Sequence, residues 1–263
     1  MEVEIISTSE DRVEFVLSGV SSAFANALRR AALSEIPKIA IDELNVYNNT
    51  SVLFDEQLAL RLALVPLKGD PSSLVPREEC GCEEGCPRCQ VVLTLMAEGP
   101  CTVHASDLVS TDPSVVPAEP NIPIVELFEG QVVAVEAIAR VGTGRQHAKW
   151  QVGVACGYKN MPKVEFSEAC DGCGECVDAC PKHIIAMEEG KPIITDIIKC
   201  TMCRLCEQAC EVGAIKVGEI EDVFVMKMES DRSYTAHEMV CEAARTIARR
   251  ATSMAEQLGE LIT

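Results

Sequence analysis

Eight of the fifteen cysteines in this 263-residue chain fall into two runs with one spacing. CDGCGECVDACP sets Cys170, Cys173, Cys176 and Cys180 at C-x2-C-x2-C-x3-C-P, and CTMCRLCEQAC sets Cys200, Cys203, Cys206 and Cys210 in the same register. All four positions recur at an offset of 30 residues, and Ile184-Ile185 is answered by Ala214-Ile215. The pattern predicts two copies of one turn-strand unit related by approximate two-fold symmetry. It also constrains how the segment holds together, because about 50 residues bury too little apolar surface to be stable alone.

Three cysteines two residues apart wrap a tight loop around one [4Fe-4S] cubane and offer three thiolates to three irons, while the fourth cysteine points away. Structural zinc uses C-x2-C pairs rather than tandem triplets, which leaves zinc ribbons or free thiols as the weaker alternative. The segment resembles bacterial-type ferredoxins, in which the fourth cysteine of each run ligates the other cluster. That resemblance implies one [4Fe-4S] cluster on Cys170, Cys173, Cys176 and Cys210, and a second on Cys200, Cys203, Cys206 and Cys180. One departure is Glu211, which stands where Pro181 follows the first run.

A second cysteine group, CGCEEGCPRC, places Cys80, Cys82, Cys86 and Cys89 at C-x-C-x3-C-x2-C. Four thiolates within ten residues suit a closed tetrahedral zinc site that pins an otherwise irregular loop. Free thiols or a redox-labile pair compete with that reading. Cys101, Cys156 and Cys241 remain, and single cysteines of this kind are expected as small buried hydrophobes. The four histidines are scattered, no serine or cysteine has a nucleophile setting, and there is no phosphate-binding glycine loop. No catalytic site of the chain's own is expected.

Lys and Arg total 23 against 41 Asp and Glu, a formal net charge of -18. Such a surface repels phosphate backbones, so direct nucleic-acid binding is not expected. No apolar run approaches the roughly 18 to 20 residues of a membrane span, and the start MEVEIISTSEDR lacks signal-peptide character. The expectation is a cytoplasmic protein whose cysteines serve metal chemistry rather than disulfides.

Around the cysteines the chain reads as α+β. Val3 and Ile5, then Val13, Phe15 and Leu17, alternate with polar neighbours on either side of Ser9-Glu10-Asp11, which predicts a β-hairpin. Ser21 or Ser22 can cap a helix through SAFANALRRAALSEI that carries Phe24, Ala27, Leu28 and Ala31 on one face and stops before Pro37. A strand follows from Ile39 to Tyr47. Nine of the 13 prolines lie between Pro66 and Pro123, so loops dominate there, with strands at 91–97 and 131–139. Past the cysteine runs, 223–228 alternates as a strand. Thr235 and Glu238 then form a capping box for a long helix. Its stripe, Ala236, Val240, Ala243, Ile247, Ala251, Met254, Leu258 and Leu261, suits packing against another helix, within this chain or from a second one.

Residues 24–51, FANALRRAALSEIPKIAIDELNVYNNTS, with Asn26, Ala27, Leu28, Arg29 and Arg30 as the core, resemble the signature of the α-like subunits of cellular RNA polymerases. The stretches RLALVPL (61–67) and GRQHAKWQ (144–151) are similar to the archaeal and eukaryotic members, and the closing amphipathic helix fits. The resemblance points to the larger, D-type α-like subunits of archaeal DNA-directed RNA polymerase, some of which carry a ferredoxin-like insertion. It implies a dimerisation domain made of both chain ends (1–47 and 218–263), interrupted by a loop-rich β-domain (48–165, with the zinc loop) and a ferredoxin-like domain (166–217). It further implies a non-catalytic assembly subunit that pairs with RNA polymerase subunit L, the smaller α-like subunit. The pair is then the platform for the large and small polymerase subunits. Phe24, Leu28, Arg29, Arg30, Val240, Ile247, Met254 and Leu258 are the implied interface residues. An electron-transfer subunit of an oxidoreductase is the alternative, and in the polymerase reading the clusters serve structure or redox regulation.

Overall fold

The computed structural model describes residues 1–262. It is an α+β fold with five α-helices among the described residues: α1 (Ser22–Ser34), α2 (Asp55–Ala63), α3 (Glu175–Asp178), α4 (Leu205–Gln208) and α5 (Ala236–Ile262). No helix is long and apolar enough to cross a membrane. The described chain divides into two compact units, one of residues 1–6, 14–25 and 158–226, the other of residues 7–13, 26–157 and 227–262.

The larger unit centres on a four-stranded sheet in the order Lys38–Asn49, Val132–Gly142, Val91–Glu98, Val109–Ser110. The pairing is antiparallel, with Ala139 opposite Ile41 on one side and Ala137 opposite Leu93 on the other. Alternation at these strands drives one face inward, so Ile39, Ile41, Leu93, Leu95, Val135 and Ala137 are buried together. Helix α2 seals that core with Leu58 and Leu62, four residues apart and fully buried. The sequence reading has no helix here. Phe54 stands at the N-cap with no side-chain bond to the first turn, so the usual start signal is missing.

Helix α1 begins where expected, the Ser21 hydroxyl accepting the Phe24 N–H at 3.4 Å. Helix α5 carries the expected capping box: the Thr235 Oγ1 accepts the Glu238 N–H at 3.2 Å, and the Glu238 carboxylate accepts the Thr235 N–H at 2.9 Å. Its buried face differs from the anticipated stripe. Ala236, Met239, Ala243 and Thr246 are buried, Val240 and Ile247 are half-buried, and every described side chain from Ala248 onward is exposed. The intrachain core takes the face one position round from the stripe. Met254 (65% exposed) and Leu258 (49%) stay open, while the side chain of Leu261 lies outside the described residues.

The hairpin Glu2–Thr8 and Arg12–Ser18 forms as expected and belongs to a sheet completed by Ile215–Ser230 and Gly153–Phe166. All seven residues of Glu2–Thr8, Val3 and Ile5 among them, are exposed, and the strand lies at the edge of the sheet. Phe15 and Leu17 are buried. The Gly153–Phe166 strand is absent from the sequence reading; Gly153, Gly157 and Pro162 interrupt its alternation and hide it.

The cysteine segment confirms the internal repeat. Helix α3 maps onto α4 at the same 30-residue offset, 175 to 205 and 178 to 208. The left-handed backbone positions repeat as well: Gly172 with Met202, Gly174 with Arg204, and His183 with Gly213. Each half thus makes the same three turns, although glycine fills only some of the positions that favour it. Ile184, Ile185, Cys176, Cys180, Cys200, Cys206, Ile215 and Val217 form the buried cluster of this segment, so half of its core is cysteine.

Candidate metal centres

Each repeat threads its first three cysteines through a left-handed turn into a one-turn helix, which aims the sulfurs at one point. One cavity is lined by Cys170, Cys173 and Cys176 of the first run together with Cys210 of the second. The other is lined by Cys200, Cys203 and Cys206 together with Cys180. Each cavity therefore gathers three cysteines of one run and the fourth cysteine of the other. Cys173 and Cys203 are exposed, so each cavity opens to solvent through one ligand-type residue, and Cys176 and Cys206 lie at the buried ends.

Burial pushes the Cys176 thiol up, and the sulfurs of Cys170, Cys173 and Cys210 add to it; burial and then Cys180 and Cys200 do the same to Cys206. Four cysteines facing one cavity become thiolates together only around a cation, which is the condition an iron–sulfur cluster would supply. The donor sets fit such a group. Backbone amides support them, with Met202 N–H directed at Cys200 Sγ (3.4 Å) and Ala214 N–H at Cys210 Sγ (3.2 Å).

The loop from Cys80 to Cys89 also closes on itself. Its four sulfurs lie within 4.8 Å of one another, with separations of 3.4 Å (Cys80–Cys82), 3.7 Å (Cys80–Cys86), 3.6 Å (Cys82–Cys89) and 3.9 Å (Cys86–Cys89). Zn–S bonds of about 2.3 Å in a tetrahedron place sulfurs roughly 3.8 Å apart, so the cage has the right size. The Arg88 backbone N–H, joined by neighbouring thiols, holds the Cys86 thiol down at about 6. The Cys82 N–H pulls the Cys80 thiol down, but desolvation and the adjoining sulfurs push it up to about 11. Arg77 braces the loop through Cys82 O (2.9 Å) and Glu83 O (2.7 Å), with Cys82 Sγ 3.5 Å away. Sequence spacing offers no sign of that brace.

Of the remaining cysteines, Cys101 is exposed rather than buried, and Cys156 and Cys241 are half-buried. Cys241 Sγ lies 3.7 Å from His237 Nε2. Among the anticipated interface residues, Leu28 is buried and Phe24 half-buried. Arg29 folds back onto Asn26 Oδ1 (2.9 Å), and Arg30 is exposed. The GRQHAKWQ stretch is a structural knot. Arg145 and Lys149 reach Glu35 and Asp42, both at 2.5 Å, and buried Trp150 donates to Arg140 O at 3.1 Å.

The family model described as "RNA polymerase Rpb3/RpoA insert domain" matches residues 41–154, and "4Fe-4S dicluster domain" matches residues 169–214. Over 99% of both chains the sequence is 54% identical to DNA-directed RNA polymerase subunit Rpo3 of Methanosarcina acetivorans. It is 43% identical to the Methanothermobacter thermautotrophicus subunit Rpo3 over 92% of this chain and 93% of that one. It is 38% identical to that of Archaeoglobus fulgidus, over 99% and 98%. An insert domain of polymerase subunits and a dicluster domain in one chain define an RNA polymerase subunit with an iron–sulfur domain. The chain belongs to the archaeal DNA-directed RNA polymerase subunit Rpo3 family.

Proposed function

We propose that this subunit has no catalytic site of its own and serves as an assembly scaffold in the cytoplasm. It pairs with polymerase subunit L and then receives the large and small subunits. The supporting observation is the outer half of α5: a helix whose described side chains from Ala248 to Glu260 are all exposed, Met254 and Leu258 among them. An exposed apolar stripe of this kind is what a second helix would cover. On this reading Phe24, Leu28, Arg29, Arg30, Val240, Ile247, Met254 and Leu258 belong to or support the subunit contacts. Residues 1–47 and 218–263 act as the dimerisation domain, 48–165 as the inserted β-domain and 166–217 as the ferredoxin-like domain. The strong negative charge argues against direct nucleic-acid binding.

Two [4Fe-4S] clusters, on Cys170, Cys173, Cys176 and Cys210 and on Cys200, Cys203, Cys206 and Cys180, take the place of a core in residues 166–217. One zinc ion on Cys80, Cys82, Cys86 and Cys89 closes the other loop. The test is an anaerobic pull-down of the native protein with iron, sulfide and zinc quantified, repeated with Met254→Glu/Leu258→Glu. Subunit L should copurify with the unaltered chain and be lost from the variant; equal recovery from both, or copurification with an oxidoreductase instead, would overturn the scaffold reading. After iron chelation, order should be lost in 166–217 while pairing with L persists. Full structure retained without iron would refute the role given to the clusters.

A further inference from the structure

The two halves of the dicluster segment share a backbone but not a charge. In equal windows, residues 168–180 carry Glu168, Asp171, Glu175 and Asp178 with no base, whereas residues 198–210 carry Lys199 and Arg204 against Glu207 alone. The cavity walls repeat the contrast. Asp171 is the charged residue lining the Cys170 cavity, while Lys182 and Arg204 line the Cys200 cavity. A third cation arrives from outside the repeat. Lys159, half-buried on the Gly153–Phe166 strand, donates its ammonium to the carbonyls of Ile198 (2.5 Å) and Cys200 (2.6 Å), at the root of the second ligand loop.

We infer that the two clusters are inequivalent, that the one on Cys180, Cys200, Cys203 and Cys206 takes an electron first, and that Lys159 is the positioning residue that makes it so. The inference rests on the two-cluster reading above. Reduction converts [4Fe-4S]2+ to [4Fe-4S]+ with one electron from a low-potential one-electron donor, such as another iron–sulfur protein or a reduced flavin. No bond or proton moves, so the step simply adds one negative charge to the cluster. Net charge nearby is one of the levers that set such potentials. Cations at the Cys200 loop stabilise the added charge, and Asp171 with its acidic neighbours opposes it at the other site.

Solvent exposure works in the other direction. Cys180, Cys200 and Cys206 are buried, whereas only Cys176 is buried in the other set, and burial penalises the more negative cluster. Charge outweighs that difference for two reasons. Both sites open through one exposed cysteine, so their burial is not far apart. The same low dielectric that penalises the added electron also magnifies the nearby ammonium of Lys159, whereas exposed Lys182 and Arg204 are screened and contribute less. Arg204 is further offset by Glu207 at 4.0 Å.

The experiment is an anaerobic redox titration of the full chain, dithionite-reduced and followed by electron paramagnetic resonance, on the unaltered protein, Lys159→Gln, Lys159→Arg and Asp171→Asn. Two resolved reductions are expected. Lys159→Gln should make the easier one about tenfold less favourable, a downward shift of about 59 mV for one electron, and leave the harder one in place. Lys159→Arg should restore it, and Asp171→Asn should ease only the harder step. Coincident reductions in the unaltered chain, or Lys159→Gln moving the harder step or both alike, would overturn the inference. Should Lys159→Gln fail to load clusters, Lys182→Gln/Arg204→Gln carries the same expectation at a smaller shift. Iron and sulfide analysis falling short of two full clusters would instead sink the two-cluster reading beneath it.

Discussion

Lys38 sets its ammonium against the carboxylate of Asp231 in a place that leaves the lysine side chain 4% exposed. The pair joins the start of the Lys38–Asn49 strand to the turn that launches α5, and the same ammonium also reaches Gln151 O at 3.2 Å. Removing one member strands a carboxylate that remains largely shielded from water. Lys38→Met should therefore destabilise the chain by about 3 kcal/mol, at the low end for a buried pair because Ser233 still bonds Asp231. Lys38→Met/Asp231→Asn should cost less than the single change. Denaturant unfolding measures both, and a loss under about 1 kcal/mol for Lys38→Met would contradict the assignment.

The capping box gives a smaller effect. Thr235→Ala deletes the acceptor for the Glu238 N–H and should lower stability by about 1 kcal/mol, while Thr235→Ser should be nearly neutral. Thermal melting by circular dichroism distinguishes them. Equal melting of Ala and Thr forms would mean that packing alone holds the start of α5.

Glu35 links the end of α1 to two arginines, Arg145 at 2.5 Å and Arg250 at 2.6 Å. Burial pushes its carboxyl up, but Arg250 and Arg145 together pull it below the ordinary 4.5. Because the folded value lies below the unfolded one, the stabilisation is complete above about pH 4.5 and is lost as pH falls through the folded value. Glu35→Gln should remove that part of the acid dependence. The check is stability against pH in both forms, and parallel acid limbs would refute the prediction.

Metal removal should act locally at the Cys80–Cys89 loop. A zinc chelator is expected to expose residues 77–90 to protease while the Leu93 and Leu95 strand stays protected in its core. Arg77→Met should release zinc faster than the unaltered chain, since the loop loses its bonds to Cys82 O and Glu83 O. Identical release rates would show that Arg77 is incidental.

The cysteine constellations were legible because a ligand set is written in spacing, whereas the crossing of Cys180 and Cys210 came only from the resemblance to two-cluster ferredoxins. Hairpin, capping box and long helix were legible for similar reasons: each rests on residues close together in sequence. The misses have physical causes. Helix α2 lacks a capping side chain, and the Gly153–Phe166 strand hides behind glycines and a proline. Lys159 contacts a carbonyl 41 residues away, and no local pattern encodes that distance. The buried face of α5 differed by one position because Met239 and Thr246, rather than Val240 and Ile247, meet the core.

Each cysteine cavity borrows one wall from the opposite half of the repeat, Cys210 for the first and Cys180 for the second. During synthesis this sets an order of events. When Cys180 leaves the ribosome, the first three-cysteine loop is complete yet its cavity is not, and it must wait for another 30 residues. A nascent chain cannot finish one centre and then begin the next. The Cys200 set has all four members once Cys206 has emerged and the Cys170 set only with Cys210, so the loop made first is the last to be completed, and a truncation just short of Cys210 would forfeit the first centre while leaving the ligands of the second in the chain.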